Sequence, residues 1–175
     1  GSDNWHHYGF DGDGTELWRT DTTHACTVCA AGDIDGNGSN NVIVADGRAK
    51  RLVVFERNAL SSLVPITYSI DSTPTFVGVG DILYDSSQLP EIAVVSRSEA
   101  SPYASTLWIY RYSSVGPSLQ RLLGPITLGD DASGLAIGNV RGTAQAEVIV
   151  TCMGDDTLRV FTEPNPGDGT LAEYS

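Results

Sequence analysis

Apolar and polar residues alternate along this chain in short runs, with no sustained helical period. Three runs share one layout. Cys29-Ala30-Ala31-Gly32-Asp33-Ile34 leads to Asn41-Val42-Ile43-Val44-Ala45. Val77-Gly78-Val79-Gly80-Asp81-Ile82 leads to Glu91-Ile92-Ala93-Val94-Val95, and Leu135-Ala136-Ile137-Gly138-Asn139-Val140 leads to Glu147-Val148-Ile149-Val150-Thr151. Short β-branched runs bounded by Gly, Asn and Asp predict strands joined by turns. A third strand follows in each copy: Leu52–Phe55, Leu107–Tyr110 and Leu158–Phe161. A fourth, weaker strand is predicted at Ile66–Ser69 in the first copy. In the second copy it falls at Gln120–Leu123 or at Pro125–Leu128.

The ends of the chain also match. Asp11-Gly12-Asp13-Gly14-Thr15-Glu16-Leu17-Trp18 is similar to Asn165-Pro166-Gly167-Asp168-Gly169-Thr170-Leu171. Three repeats between Thr15 and Thr170 make about 52 residues per unit, the size of a four-stranded propeller blade. The expected fold is all-β, a β-propeller or partial propeller of about three four-stranded blades. It forms a single domain over 1–175, with repeats at about 21–70, 71–128 and 129–175, and 3–20 as an extra outer strand segment. Pro and Gly clusters at Gly116-Pro117 and Gly124-Pro125 read as turns, not linkers.

Gly32–Asp46 carries the chemistry. Asp33, Asp35, Asn37 and Asn41 fall on alternate positions, with Ser39 between the last two and Gly36 and Gly38 among them. Hard divalent cations take six to eight oxygens at about 2.3–2.6 Å, and a D-x-D-x-N-G loop supplies them. The candidate ligands are the side chains of Asp33, Asp35, Asn37 and Asn41 and the backbone carbonyl of Ser39. The competing reading is a Gly/Asn/Asp turn without metal. The EF-hand's closing Glu is absent, since that position is Val44, inside the strand. The second copy has Leu83 where the second carboxylate belongs, so its loop is expected to hold no ion. The third places Asn139, Arg141, Thr143 and Glu147 at the ligand positions. There Arg141 either replaces the cation and pairs with Glu147, or stands solvated on an exposed turn.

The pattern apolar-x-apolar-Gly-Asp-apolar-Asp-Gly-Asn-Gly followed by a β run resembles the FG-GAP/VCBS family of β-propeller repeats, the calcium-loop repeats also seen in integrin-type propellers. Gly14-Thr15-Glu16-Leu17-Trp18-Arg19 is similar to the strand that precedes such a loop. The resemblance implies a propeller, extracellular placement and Ca2+ in a structural role. It implies no single activity, because such propellers serve as adhesion modules, lectins and enzyme appendages.

Net charge is −12 and Lys50 is the only lysine. Such a surface repels phosphate backbones and anionic lipid, so neither nucleic acid binding nor membrane insertion is expected. No apolar run reaches the roughly 20 residues of a membrane-spanning helix. Gly1-Ser2 has the form of a cloning remnant, so a secretion signal is expected to have been removed. Cys26, Cys29 and Cys152 read as small buried apolar residues, with a bridge from Cys152 left open. The Cys26-x-x-Cys29 pair with His24 lacks a second pair that would complete a zinc site.

Trp5, Trp18, Trp108, Tyr8, Tyr103, Tyr110 and Tyr112 read as packing between blades, with Tyr103 the best exposed exception for stacking on sugars. His6 and His7 read as surface residues, and Asp11–Gly14 as a hairpin turn. No nucleophile elbow, zinc-protease helix or phosphate loop is present, so no catalytic residue is assigned.

Three units leave a propeller open, so a homodimer or other ring-closing self-association is expected. The expected function is a calcium-binding, non-enzymatic, secreted module for glycan or protein recognition. The alternatives are an accessory or excised propeller domain of a carbohydrate-active enzyme, or an engineered or structural repeat assembly with no ligand but metal.

Overall fold

The computed structural model describes residues 7–10, 12–20, 28–57, 63–98, 104–113, 115–165 and 167–174. The protein is all-β. Its strands are β1 (His7–Phe10), β2 (Glu16–Thr20), β3 (Val28–Gly32), β4 (Asn41–Asp46), β5 (Arg51–Arg57), β6 (Leu63–Ser69) and β7 (Thr73–Gly80). They continue with β8 (Glu91–Arg97), β9 (Ala104–Ser113), β10 (Ser118–Asp130), β11 (Ala132–Gly138), β12 (Glu147–Cys152), β13 (Thr157–Thr162) and β14 (Ala172–Glu173). Three four-stranded antiparallel sheets result, β3-β4-β5-β6, β7-β8-β9-β10 and β11-β12-β13-β14, while β1 and β2 pair by themselves. Every neighbour in a sheet is a neighbour in sequence, as short turns require. The described strands do not close into a barrel, and among the described residues no helix is long and apolar enough to cross a membrane.

The three sheets share one register. Ile43 pairs Val54 and Ala45 pairs Leu52 in the first, Ala93 pairs Ile109 and Val95 pairs Leu107 in the second, and Ile149 pairs Val160 and Thr151 pairs Leu158 in the third. Paired residues face the same side of a sheet. Ile34, Ile43, Ala45, Leu52 and Val54 therefore pack against Val77, Ile92, Val94, Tyr110 and Tyr112, forming a core between the first and second sheets. Ile82, Ala93, Val95, Leu107 and Ile109 pack against Val148, Val150, Cys152 and Phe161, forming a core between the second and third. Tyr110 and Tyr112 are thus packing residues, as their strand positions predict.

The first strands of successive sheets meet through glycine. A Cβ on Gly32 would lie 2.4 Å from Val79 Cγ1, and one on Gly80 would lie 2.4 Å from Ile137 Cγ2. A branched side chain from one sheet sits directly on the bare backbone of the sheet before it. A Cβ at Gly138 would meet nothing within 4 Å. Gly80→Ala should therefore lower stability by about 1–3 kcal/mol through overpacking, while Gly138→Ala should be nearly neutral. Urea unfolding of the two variants checks this.

β10 runs through both sequence candidates for the fourth strand of its sheet. It stays paired to β9 by register shifts between Arg121 and Leu123 and between Leu123 and Ile126. An extra residue at such a shift bends a strand without ending it. At the two ends of the chain the same local bonds recur. Asp13 Oδ1 accepts from the amide and hydroxyl of Thr15, and Asp168 Oδ1 accepts from the amide and hydroxyl of Thr170.

Candidate metal centre

The loop between β3 and β4 turns back on itself at Gly36 and Gly38, with φ of 72° and 83° that side-chain-bearing residues rarely adopt. That turn brings Asp33 and Asp35 together. The Asn37 amide donates to Asp33 Oδ1 at 3.0 Å and to Asp35 Oδ1 at 3.2 Å, and the Gly38 amide donates to Asp33 Oδ2 at 2.8 Å. Two carboxamides join them: Asn37 Nδ2 donates to Asp35 Oδ2 at 3.0 Å and Asn41 Nδ2 to the same oxygen at 3.3 Å. Ser39 enters through its backbone amide, which donates to Asn37 Oδ1 at 2.8 Å. The structure thus links Asp33, Asp35, Asn37 and Asn41 in one hydrogen-bonded loop, with Ser39 joined to it through Asn37. The donors are all oxygen-bearing, the set a hard cation takes. Among the described residues no three His, Cys, Asp or Glu side chains form a metal-holding group. The loop's two carboxylates are met instead by backbone amides and by the carboxamide nitrogens of Asn37 and Asn41.

Asn41 has a second role that the sequence did not disclose. Its Oδ1 accepts the amide of Ile34 at 3.1 Å. Glu91 Oε2 accepts the amides of Ile82 and Leu83 at 2.9 and 3.1 Å, and Glu147 Oε2 accepts the amide of Val140 at 2.9 Å. All three residues open the second strand of their sheet, and all three are buried. Each ties the start of the loop to its end, satisfying amides that burial would otherwise leave unpaired.

The second loop differs from the first in its charge. Leu83 turns into the core, 5% exposed. Asp85 Oδ2 and Glu91 Oε1 both bond Arg111 Nη2, which reaches in from β9. Burial pushes the Glu91 carboxyl above the usual range, against the pull of Arg111 and the two amides. Asp81 is also raised, by burial and by the Asp85 charge.

The third loop corrects the expectation for Arg141. Its guanidinium donates to Thr162 Oγ1 at 3.2 Å and lies over the Tyr174 ring at 4.5 Å, while Glu147 Oε1 accepts from Thr143 Oγ1 at 3.2 Å. The ring face and the hydroxyl hold the cation outside the loop. Asn139 closes the loop instead, accepting the Gly142 amide at 2.6 Å and donating to the Thr143 carbonyl.

A cleft of about 590 Å³ lies where the loops of the second and third sheets meet, lined by Asp81, Tyr84, Asp85, Gln88, Gln145 and Gly167. Glu163 fixes its walls, accepting the Tyr84 amide from one loop and the Gly167 and Gly169 amides from the other. Of the other sequence candidates, Cys29 and Cys152 are free thiols. Cys152 is buried and Cys29 is exposed, so the expected burial of Cys29 is not met. Cys26, His24, His6, Trp5 and Tyr103 lie outside the described residues. No family model matches the chain. No curated protein matches it either.

Proposed function

We propose that the chain is a calcium-stabilised β-propeller part acting outside the cell as a non-enzymatic binding module. The observation that carries this reading is the contrast among the three loops. Asp33 and Asp35 are joined through the Asn37 amide and, among the described residues, bond only backbone amides and carboxamides, whereas an arginine, Arg111, bonds two carboxylates of the second loop and internal bonds close the third. Two adjacent carboxylates with no cationic side chain bonded to them among the described residues favour an external cation. Asp33, Asp35, Asn37, Asn41 and the Ser39 carbonyl would hold Ca2+, which supplies the missing positive charge and fixes the loop between β3 and β4.

Calcium should raise the melting temperature. At a hundredfold excess over Kd the gain is about 2.7 kcal/mol, or about 5–10 °C for a chain of this size. Asp35→Ala should abolish the rise, measured by differential scanning calorimetry in EDTA and in calcium. An equal melting temperature in both would remove the metal reading. The cleft beside Tyr84 suits a glycan, with a ring to stack on and carboxylates and carboxamides to bond hydroxyls. A glycan array probed with the calcium-loaded protein tests that ligand class against a protein ligand.

Self-association completes the proposal. The outward face of the third sheet repeats the positions that the first two sheets bury against a neighbour. Val140 stands where Ile34 and Ile82 are fully buried, and is 61% exposed. A second copy covering this face would extend the stack of sheets towards a closed ring.

A further inference from the structure

A second cleft, of about 490 Å³, opens where β6 of the first sheet faces β9 and β10 of the second. Thr67, Tyr68 and Ser69 line it from one side, Tyr110 and Arg121 from the other, and Asp71 from the turn between β6 and β7. Two of these groups lack partners. Tyr110 is 9% exposed and packed into the core between the two sheets, yet among the described residues its hydroxyl bonds nothing. A buried hydroxyl without a bond costs free energy that a ligand oxygen would recover. Burial raises the Tyr110 pKa, the Arg121 charge lowers it and the Asp71 charge raises it, so both charges act on that hydroxyl.

Arg121 is the second group. It pairs Tyr110 across β9 and β10 and so stands on the same face of the sheet. Its guanidinium lies over the Trp108 ring, 5.2 Å from the centroid. A ring face attracts the charge but leaves the forked N–H donors without an acceptor. Other arginines meet carboxylates: Arg51 meets Asp46, Arg97 meets Asp131, Arg111 meets Asp85 and Glu91, and Arg159 meets Glu173. In the third sheet Phe161 pairs Val148 and Glu173, as Tyr110 pairs Ile92 and Arg121 in the second. There the ring has no hydroxyl, and Glu173 answers the sheet's own arginine. In the second sheet Arg121 takes the place of that glutamate, and no described carboxylate bonds it.

We propose that this cleft binds an acidic sugar, a hexuronate, whose carboxylate meets the Arg121 fork and whose ring hydroxyls bond Tyr110 and Asp71. The volume falls in the range of small-molecule sites, about 300–1,000 Å³, and a planar fork matches a carboxylate. Asp71 accepts from hydroxyls and repels further negative charge, which disfavours a phosphate or sulfate dianion. The site needs no ion in the first loop and shares no residue with the cleft beside Tyr84.

Amide NMR of the full chain in calcium buffer, titrated with sodium D-glucuronate, glucose or sodium acetate at equal ionic strength, tests this. Glucuronate should shift the amides around Tyr68, Tyr110 and Arg121 saturably, with an affinity about tenfold or more above that of glucose or acetate. Arg121→Gln should weaken glucuronate about tenfold and Tyr110→Phe about threefold. Arg121 is exposed and phenylalanine keeps the buried ring, and the same spectra report that both variants are folded. No saturable shift with glucuronate overturns the proposal, as does equal affinity in the natural chain and Arg121→Gln. Acetate binding as tightly as glucuronate also overturns it, because the site then reads a carboxylate and no sugar. Shifts confined to the residues around Tyr84 and Gln145 overturn it and place the sugar in the other cleft. Glucuronate held through Arg121 by a chain that takes no glycan beside Tyr84 supports it and removes that other reading.

Discussion

Leu107→Ala is expected to lower stability by about 2–5 kcal/mol and Leu52→Ala by a similar amount, while Leu158→Ala leaves the isolated chain within about 0.5 kcal/mol. The three leucines hold one register position, opposite Val95, Ala45 and Thr151. Leu52 and Leu107 are 0% exposed, each packed under the next sheet, whereas Leu158 is 64% exposed. Truncating the first two removes buried methyl groups and leaves cavities in a packed layer. Truncating the third removes atoms that water already reaches. Chemical denaturation at low protein concentration measures all three. Native mass then asks what the third face does at high concentration. If a second copy covers it, the natural chain runs above its monomer mass and Leu158→Glu returns it to monomer. A natural chain that stays monomeric at high concentration ends the self-association reading, without touching the prediction for Leu52 and Leu107.

The sheets were legible in the sequence because each strand is short, β-branched and bounded by Gly, Asn or Asp, and because the layout occurs three times. The first loop was legible for the same reason: Gly36 and Gly38 announce the turn, and alternate oxygens announce its lining. Three features were not. The fourth strand of the second sheet read as two rival segments, because register shifts that keep one strand paired across a bend leave no compositional mark. Arg141 read as a loop cation because sequence gives position but not direction, and Tyr174, far along the chain, offers a ring face that competes with Glu147. Arg111 was missed because it lies 20 residues from Glu91 and joins it only once β8 and β9 are paired. A signal was available: Arg111 interrupts an apolar strand at one repeat position, in the copy whose loop has Leu83 in place of a carboxylate.

Glu91→Leu is expected to be among the most damaging single changes, at about 3–5 kcal/mol. Volume is not the reason, since leucine fills much of the same space. Glu91 takes the Ile82 and Leu83 amides on one oxygen and the Arg111 guanidinium on the other, all beneath the surface. Losing it strands two amides and leaves a partly buried cation with Asp85 alone. The raised carboxyl shows that burial already costs the ionised form, so the pair as a whole is not the source of the stability. It follows that Glu91→Leu/Arg111→Met, which removes both charges, should be less destabilised than Glu91→Leu alone. A double-mutant cycle by urea unfolding reads the difference. Strict additivity of the two single changes would mean that Glu91 acts only through the loop amides, and that Arg111 lends it nothing.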